Sequence, residues 1–472
     1  MFVIVITVIG RLKGLQGLKK RREKEIAIRG ERRFQPAQVL ALSFLAAIGI
    51  GTVLLLLPLS THSGHISFVD ALFTSTSAVC VTGLTVQNTA TYFSRFGQAV
   101  ILFLFQMGGL GIMTFSTLIL LVAGKKISIQ ERIIIKQDLH HASVKNVAAL
   151  VKGAFIYALT IEAAGALFLY LRGYGQEPRG QALFSSVFHA VSAFCNAGFS
   201  VFQDSFVSYK GDVWVNAVLI LLIVLGGLGF LVLSEGVEAL SRLFKGSKPR
   251  LSLHAKLVGT MTLFLIVLPF FVFLVVEWEG ALAGFSPREK VLTALFQVIT
   301  PRTAGFNTMD LNSLSAATVF LMICLMFIGA SPGSTGGGVK TCTVGVLFAF
   351  VRSKVAARDT VGLFYRTLPS ELVMRAFTVV TLGIAVIFLS SFLLFLTQPG
   401  WSMREVFFEV FSAFGTVGLS LGITPKLTEV GKVILVLTMF IGRIGPLSLL
   451  YAFSRKRAIG KYAYVEESVM IG

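Results

Sequence analysis

The chain has 472 residues, of which 55% are hydrophobic and only 14% charged, with 42 phenylalanines. Soluble proteins carry about a quarter charged residues, so this composition excludes an ordinary soluble protein and points to a polytopic membrane protein. The net charge of +19 could suggest nucleic acid, but the basic residues sit between apolar spans, as membrane topology requires.

In chain order, the opening "MFVIVITVIG" is apolar but precedes its basic cluster, whereas a signal peptide places charge first. It reads as an interfacial or poorly ordered start, with a short extra span as the alternative, and 1–36 as a basic cytoplasmic segment. A spanning helix needs about 20 apolar residues. Eight stretches qualify: 37–59, 97–123, 154–171, 213–240, 257–278, 314–350 (interrupted), 374–397 and 432–453. Between alternate pairs lie shorter, half-apolar segments at 67–80, 181–195, 289–301 and 403–415. They are too short to cross and too apolar for ordinary loops, so re-entrant helices are expected. Such backbone is tolerated at membrane depth only beside protein or a water-filled cavity. Residues 456–472 form a cytoplasmic tail.

The order long, short, long recurs four times, placing repeats at 37–127, 150–245, 255–352 and 370–455. Each short segment ends in a related tetrad: Val81-Thr82-Gly83-Leu84, Asn196-Ala197-Gly198-Phe199, Thr303-Ala304-Gly305-Phe306 and Thr416-Val417-Gly418-Leu419. Upstream, "FTSTSAVC", "FHAVSAFC" and "FEVFSAFG" share Phe and then Ser-Ala, while "FQVITPRTAGF" diverges at Pro301-Arg302. Downstream, small-residue clusters begin at Gly108, Gly226, Gly329 and Gly442, each 24 to 28 residues past its tetrad glycine. Lys and Arg concentrate in 1–36, 125–152, 242–256, 352–375 and 455–461. The positive-inside rule therefore puts both termini in the cytoplasm and the tetrads towards the outside.

A short helix that dips in, turns at a glycine and returns extended is how an ion filter is built, with carbonyls replacing the hydration shell of a cation. Glycine accepts positive φ and lets four backbones approach one axis. The helix C-termini would add partial negative charge. Thr416-Val417-Gly418 matches the start of the TVGYG potassium filter, without the Tyr-Gly that would follow. The carbonyls of Val81, Thr82, Asn196, Ala197, Thr303, Ala304, Thr416 and Val417 are the expected potassium ligands.

The stretch from Gly329 to Thr341, "GASPGSTGGGVKT", superficially offers a G-x-S-x-G nucleophile elbow and a near phosphate loop. The first needs a preceding strand and the second an uninterrupted G-K-[ST]. A membrane helix pattern precedes Ser331, and Val339 separates Gly338 from Lys340. The better reading is a helix broken by Pro332 at membrane depth. A flexible loop (Gly329, Ala330, Ser331, Pro332, Gly333, Ser334, Thr335, Gly336, Gly337, Gly338, with Lys340) would then lie across the path below the filter as a gate, its Ser and Thr hydroxyls keeping the backbone wetted. Arg443, mid-span in the fourth repeat at the equivalent depth, would face it.

These repeats, tetrads, the broken third-repeat helix and Arg443 resemble the Trk/Ktr/HKT superfamily of potassium transporters over residues 37 to about 455. With two fewer N-terminal spans than the Trk type, the chain looks closest to the Ktr-type membrane subunit. The resemblance implies an all-α membrane protein of four pseudo-symmetric repeats of span, re-entrant pore helix, filter loop and span around one central pore. It also implies a homodimer in the cytoplasmic (inner) membrane above a ring of nucleotide-binding regulatory subunits. The cargo would be potassium, with sodium dependence left open and no organic cofactor in this chain. Some plant relatives with Ser at the first filter glycine pass sodium, so Gly83 favours potassium. A polytopic membrane enzyme or a non-conducting scaffold is the alternative.

Plainer roles compete for single residues. The GGLG clusters are most simply helix-packing faces. Glu162 and Glu235 are intramembrane or interfacial acids, hence functional suspects, yet Glu162 also reads as a buried structural partner. His189 reads as a packing residue rather than a proton relay. The four cysteines show no zinc spacing or disulfide framework, and Cys80 and Cys195 read as small buried hydrophobes.

Overall fold

The structure, a computed structural model, describes residues 36–112, 147–172 and 178–453. The expected basic segment 1–36, the end of span 97–123, most of the basic loop 125–152 and the tail 456–472 lie, wholly or largely, outside the described residues. The first unit has a long helix α1 (Pro36–Leu56), a short α2 (Phe68–Val79) and α3 (Arg95–Leu110). The second has α4 (Val147–Leu171), α5 (Arg179–Cys195) and a bent pair, α6 (Val213–Leu228) and α7 (Phe230–Phe244). In the third, α8 (Leu253–Glu277) and α9 (Pro287–Ile299) precede α10 (Ala316–Phe327), and an irregular segment separates α10 from α11 (Thr341–Val355). A hairpin of β1 (Gly362–Leu363) and β2 (Arg366–Thr367) leads to the fourth: α12 (Ser370–Thr397), α13 (Met403–Gly415), and the pair α14 (Glu429–Ile444) and α15 (Pro446–Phe453).

Among the described residues four helices are long and apolar enough to cross a membrane: Ala37–Leu56, Val151–Leu171, Leu253–Glu277 and Ser370–Thr397. Ile50, Val53, Phe264, Val275 and Phe388 project outward from them, an apolar surface that water would not tolerate at this extent and lipid would. The short helices fall where the sequence places them. At 12 to 17 residues they are about 18–26 Å long, less than the roughly 30 Å of a bilayer core.

Three of the short helices start on a serine cap. Ser67 Oγ accepts from Asp70 N–H, and Ser286 and Ser402 form reciprocal capping boxes with Glu289 and Glu405. The Ser402 hydroxyl and then its N–H hold the Glu405 carboxyl below the ordinary carboxylate range. Replacing Ser402 with Ala is expected to cost about 1 kcal/mol, read as a lowered thermal midpoint of the purified protein in detergent. An unchanged midpoint would show that the cap is dispensable.

The second helices depart from expectation. Their apolar content suggests continuous spans at 97–123, 213–240 and 432–453, with a break only in the third repeat. Instead each ends or bends at the last glycine of its small-residue cluster. Helix α3 stops at Gly111 (φ 84), α6 turns through 107° into α7 at Gly229 (φ 92), and α14 turns through 92° into α15 at Gly445 (φ 89). A residue at positive φ cannot continue a right-handed helix.

The buried core lies behind the short helices in two clusters. One contains Phe44, Phe73, Phe105, Phe414 and Met439 between the first and fourth units. The other contains Phe194, Phe206, Phe296, Phe306 and Met322 between the second and third. Together they fix the C-terminal ends of the short helices around one centre.

Candidate functional site

Each short helix ends in a backbone reversal. The first tetrad residues Val81, Asn196, Thr303 and Thr416 all have positive φ (58, 57, 77 and 50), and so do Gly83, Gly198, Gly305 and Gly418 (89, 71, 77 and 93). The residues between them do not. This alternation reverses the backbone sharply at each tetrad. It is costly for a non-glycine residue, roughly 1–3 kcal/mol, so the surroundings must hold it. One hydroxyl per helix does so. Ser77 Oγ accepts from Gly83 N–H at 3.0 Å and Ser412 Oγ from Gly418 N–H at 3.1 Å. Ser192 Oγ donates to Phe199 O at 2.8 Å and Thr300 Oγ1 to Phe306 O at 2.6 Å. Sequence reasoning missed these staples, although the shared Ser-Ala was their signal. The fourth tetrad side chains, Leu84, Phe199, Phe306 and Leu419, are buried.

The tetrads, more than 100 residues apart in sequence, close into a ring. A Cβ placed on Gly83 would stand 2.5 Å from Ala197 O, one on Gly198 3.1 Å from Ala304 O, one on Gly305 2.4 Å from Val417 O, and one on Gly418 2.3 Å from Thr82 O. The contacts run from the first unit to the second, third, fourth and back. On one side of this ring is a cavity of 390 Å³ lined by all four glycines together with Asn88, Asp204, Asp310 and Ser420. Two carboxylates at its rim favour a cation over an anion.

On the other side lies the irregular segment between α10 and α11. It is an ordered structure rather than a loose loop: Ile328 pairs with Val339 in a parallel bridge, and Gly329 N–H donates to Val339 O at 2.9 Å. Two of its three hydroxyls are buried rather than wetted as expected. Ser331 and Thr335 are fully buried, and Thr335 Oγ1 bonds the carbonyls of Phe194 and Gly226, both at 3.2 Å. Direct hydrogen bonds replace the water because the backbone of α5 and α6 is close enough to reach. Ser331 Oγ meets Thr341 Oγ1 at 3.0 Å, a hydroxyl and no general base. Lys340 Nζ donates to Gly336 O at 2.6 Å, Ser334 Oγ to Ser331 O at 2.6 Å, and Pro332 and Gly333 face Gly229.

The segment hangs from the first tetrad residues. Asn196 Nδ2 donates to Thr335 Oγ1 at 3.0 Å, and Gly337 N–H donates to Thr416 Oγ1 at 3.1 Å. A Cβ on Gly336 would stand 2.2 Å from Thr303 Oγ1. Arg443 donates one arm of its guanidinium to Thr335 O and the other to Gly108 O. It thus joins the third unit's segment to the first unit's second helix. A second cavity, of 610 Å³, lies against Pro332, Gly336, Lys340 and Arg443.

The small-residue clusters are packing faces: a Cβ on Gly108, Gly226 or Gly442 would stand 2.0, 1.9 or 2.0 Å from the carbonyls of Val79, Phe194 and Phe414. Glu162, buried on α4, accepts from Gln106 Nε2 at 3.1 and 3.0 Å, and Cys195 Sγ bonds Gln106 Oε1 at 3.1 Å. Glu235 Oε2 accepts from Ser252 N–H at 3.0 Å, ahead of α8. His189 Nε2 accepts from Val201 N–H at 3.2 Å, a packing arrangement. Arg302 is buried and reaches Thr262 Oγ1 at 3.3 Å. Among the described residues no cluster of His, Cys, Asp or Glu could hold a resident metal.

The chain as a whole is similar to known proteins. The sequence model of the TrkH family, described as a cation transport protein, matches residues 3–462. The "Ktr system potassium uptake protein B" of Bacillus subtilis (strain 168) is 42% identical over 90% of this chain and 94% of its own length. The "Potassium/sodium uptake protein NtpJ" of Enterococcus hirae is 38% identical over 94% of this chain and 99% of its own. The crystal structure of the potassium transporter TrkH from Vibrio parahaemolyticus is similar in fold, with a TM-score of 0.70 over 90% of this chain and 86% of that one at 22% identity.

Proposed function

The chain belongs to the TrkH family of cation transport proteins, and from that premise we propose that it takes up potassium through the ring of tetrad carbonyls. It is a transporter in a membrane, not an enzyme. The observation that carries the reading is the closed ring of four glycine turns between two cavities. In this reading residues 37–127, 150–245, 255–352 and 370–455 each form a quarter of the pore. The carbonyls of Val81, Thr82, Asn196, Ala197, Thr303, Ala304, Thr416 and Val417 replace the hydration shell of potassium. The acidic cavity with Asp204 and Asp310 is the outer vestibule.

The segment Gly329–Gly338, with Lys340 and Arg443, is the gate. It is tied to Asn196 and Thr416, so opening breaks hydrogen bonds to the filter itself. The basic clusters in 242–256 and 352–375 put that face in the cytoplasm and suit both anionic lipid headgroups and a soluble nucleotide-binding regulatory ring. Relatives named as part of a Ktr "system" support such a partner. By the family resemblance the subunit forms a homodimer in the cytoplasmic membrane. One relative is named for potassium and sodium uptake, which makes sodium the cation to test beside potassium.

Purified protein in liposomes is expected to pass potassium and rubidium down an imposed gradient, and sodium less well. Expression is expected to restore growth of a potassium-uptake-deficient bacterium at low external potassium. Absence of any potassium flux in liposomes holding correctly inserted protein would refute the reading and return the scaffold alternative.

A further inference from the structure

Three residues before each stapling hydroxyl, every short helix carries a second polar residue: Thr74 before Ser77, His189 before Ser192, Gln297 before Thr300 and Glu409 before Ser412. All four are buried, and the last three are fully so. In two of the four units this side chain reaches the stretch leaving the tetrad, and in the fourth it reaches Thr424, at the start of the 3-10 turn Thr424–Lys426 that follows that stretch. His189 Nε2 lies 3.0 Å from Ser200 Oγ, and Gln297 Nε2 donates to Thr308 Oγ1 at 3.5 Å. Glu409 Oε1 accepts from Thr424 Oγ1, whose oxygen lies 3.2 Å from Ser420 Oγ. Ser420 lines the vestibule two residues beyond Gly418. The residue type differs in every unit while the register is constant.

Glu409 is the carboxyl group among the four. Its second carboxyl oxygen is buried with no hydrogen-bond partner, as are Thr74 Oγ1 and Gln297 Oε1 at the same register, and an unpaired carboxyl oxygen is the most expensive of these for a packing role. The cations on flanking elements are engaged elsewhere. Lys432 of α14 binds Asp70 at 2.6 Å, Arg404 donates to Leu314 O at 3.0 Å, and Lys426 lies over the Trp401 ring. With those cations engaged, the contact of the carboxyl group is the Thr424 hydroxyl and, through it, Ser420.

We propose that Glu409 is a positioning residue for the outer end of the filter: through Thr424 and Ser420 it holds the strand that leaves Gly418, and so sets the width of the ring where a cation enters. This rests on the filter reading above. The test is the potassium-to-sodium flux ratio of the full-length protein in liposomes. Glu409→Leu keeps the bulk and removes the acceptor, and is expected to lower the ratio about tenfold. Glu409→Gln keeps an oxygen for Thr424 and should stay within about twofold of wild type. Thr424→Val removes the link from the other side and should resemble Glu409→Leu, with the double variant no worse than either single, as residues acting through one contact behave. A wild-type ratio in Glu409→Leu or Thr424→Val would overturn the proposal, as would Glu409→Gln falling as far as Leu, since charge rather than position would then be at work. If Glu409→Leu fails to insert, Thr424→Val decides alone. A wild-type protein that does not favour potassium would instead refute the filter reading.

Discussion

Serine at Gly83 or Gly418 is expected to lower the potassium-to-sodium flux ratio by about tenfold or more, with the protein still inserted. Both glycines have φ near 90°, where a side chain is strained by roughly 1–3 kcal/mol. The steric cost is more specific. The new Cβ would overlap Ala197 O at 2.5 Å from Gly83, or Thr82 O at 2.3 Å from Gly418. Those oxygens are themselves proposed potassium ligands, and a carbonyl cannot yield without tilting its peptide. The ring must therefore widen, or lose an oxygen on one side. Either change favours a smaller, more strongly hydrated ion that keeps some of its water. Gly198 provides the internal control, because its Cβ would stand at a milder 3.1 Å from Ala304 O, so serine there should be tolerated better. Equal ratios in wild type and in both the Gly83 and Gly418 variants would sink the filter assignment.

Changing Arg443 to Gln should raise potassium flux by roughly an order of magnitude with selectivity kept. The guanidinium clamps Thr335 O of the proposed gate to Gly108 O. A cation passing within about 8 Å of that charge would be opposed by about 2 kcal/mol at an effective dielectric of about 20. Glutamine removes the charge and at most one of the two donors. Deleting Ser331 to Gly338 should raise flux further and weaken its dependence on cytoplasmic regulators. Asn196 and Thr416 would lose their partners on the gate side, but the staples at Ser192 and Ser412 are untouched, so the filter should survive. An inserted deletion protein with wild-type flux and regulation would refute the gate. Lost selectivity would place the segment in the filter.

The sequence is most informative where a local rule repeats. Four tetrads at nearly equal spacing, each after a short apolar segment, are enough to expect the short helices, and these lie within two residues of their expected ends. Hydropathy is blind to φ, which is why the spans at 213–240 and 432–453 look continuous although Gly229 and Gly445 bend them sharply. Pro332 announces its break because its ring forbids the helix, whereas a glycine only permits one. The layer behind the tetrads is hidden for a different reason. Ser412 and Glu409 are ordinary polar residues on a half-apolar helix until the return strand is seen against them. Arg443 is conspicuous as a mid-span charge, but its contact with Gly108 links residues 335 apart and no local pattern encodes it.

The bend at Gly229 has a mechanical consequence. Helix α7 has 15 residues and is therefore about 22 Å long. Its first residue is fastened to the proposed gate, with Phe230 N–H donating to Gly333 O at 3.0 Å, while Phe244 at its far end is exposed beside Arg242 and Lys245. Moving the far end by about 4 Å tilts a rod of that length by only about 10°, and the load is shared between the hydrogen bond at its root and the one from Ser252 N–H to Glu235. A displacement of the basic end of α7 is thus carried along the helix to Gly333, roughly 20 Å away, without any other part of the chain having to bend.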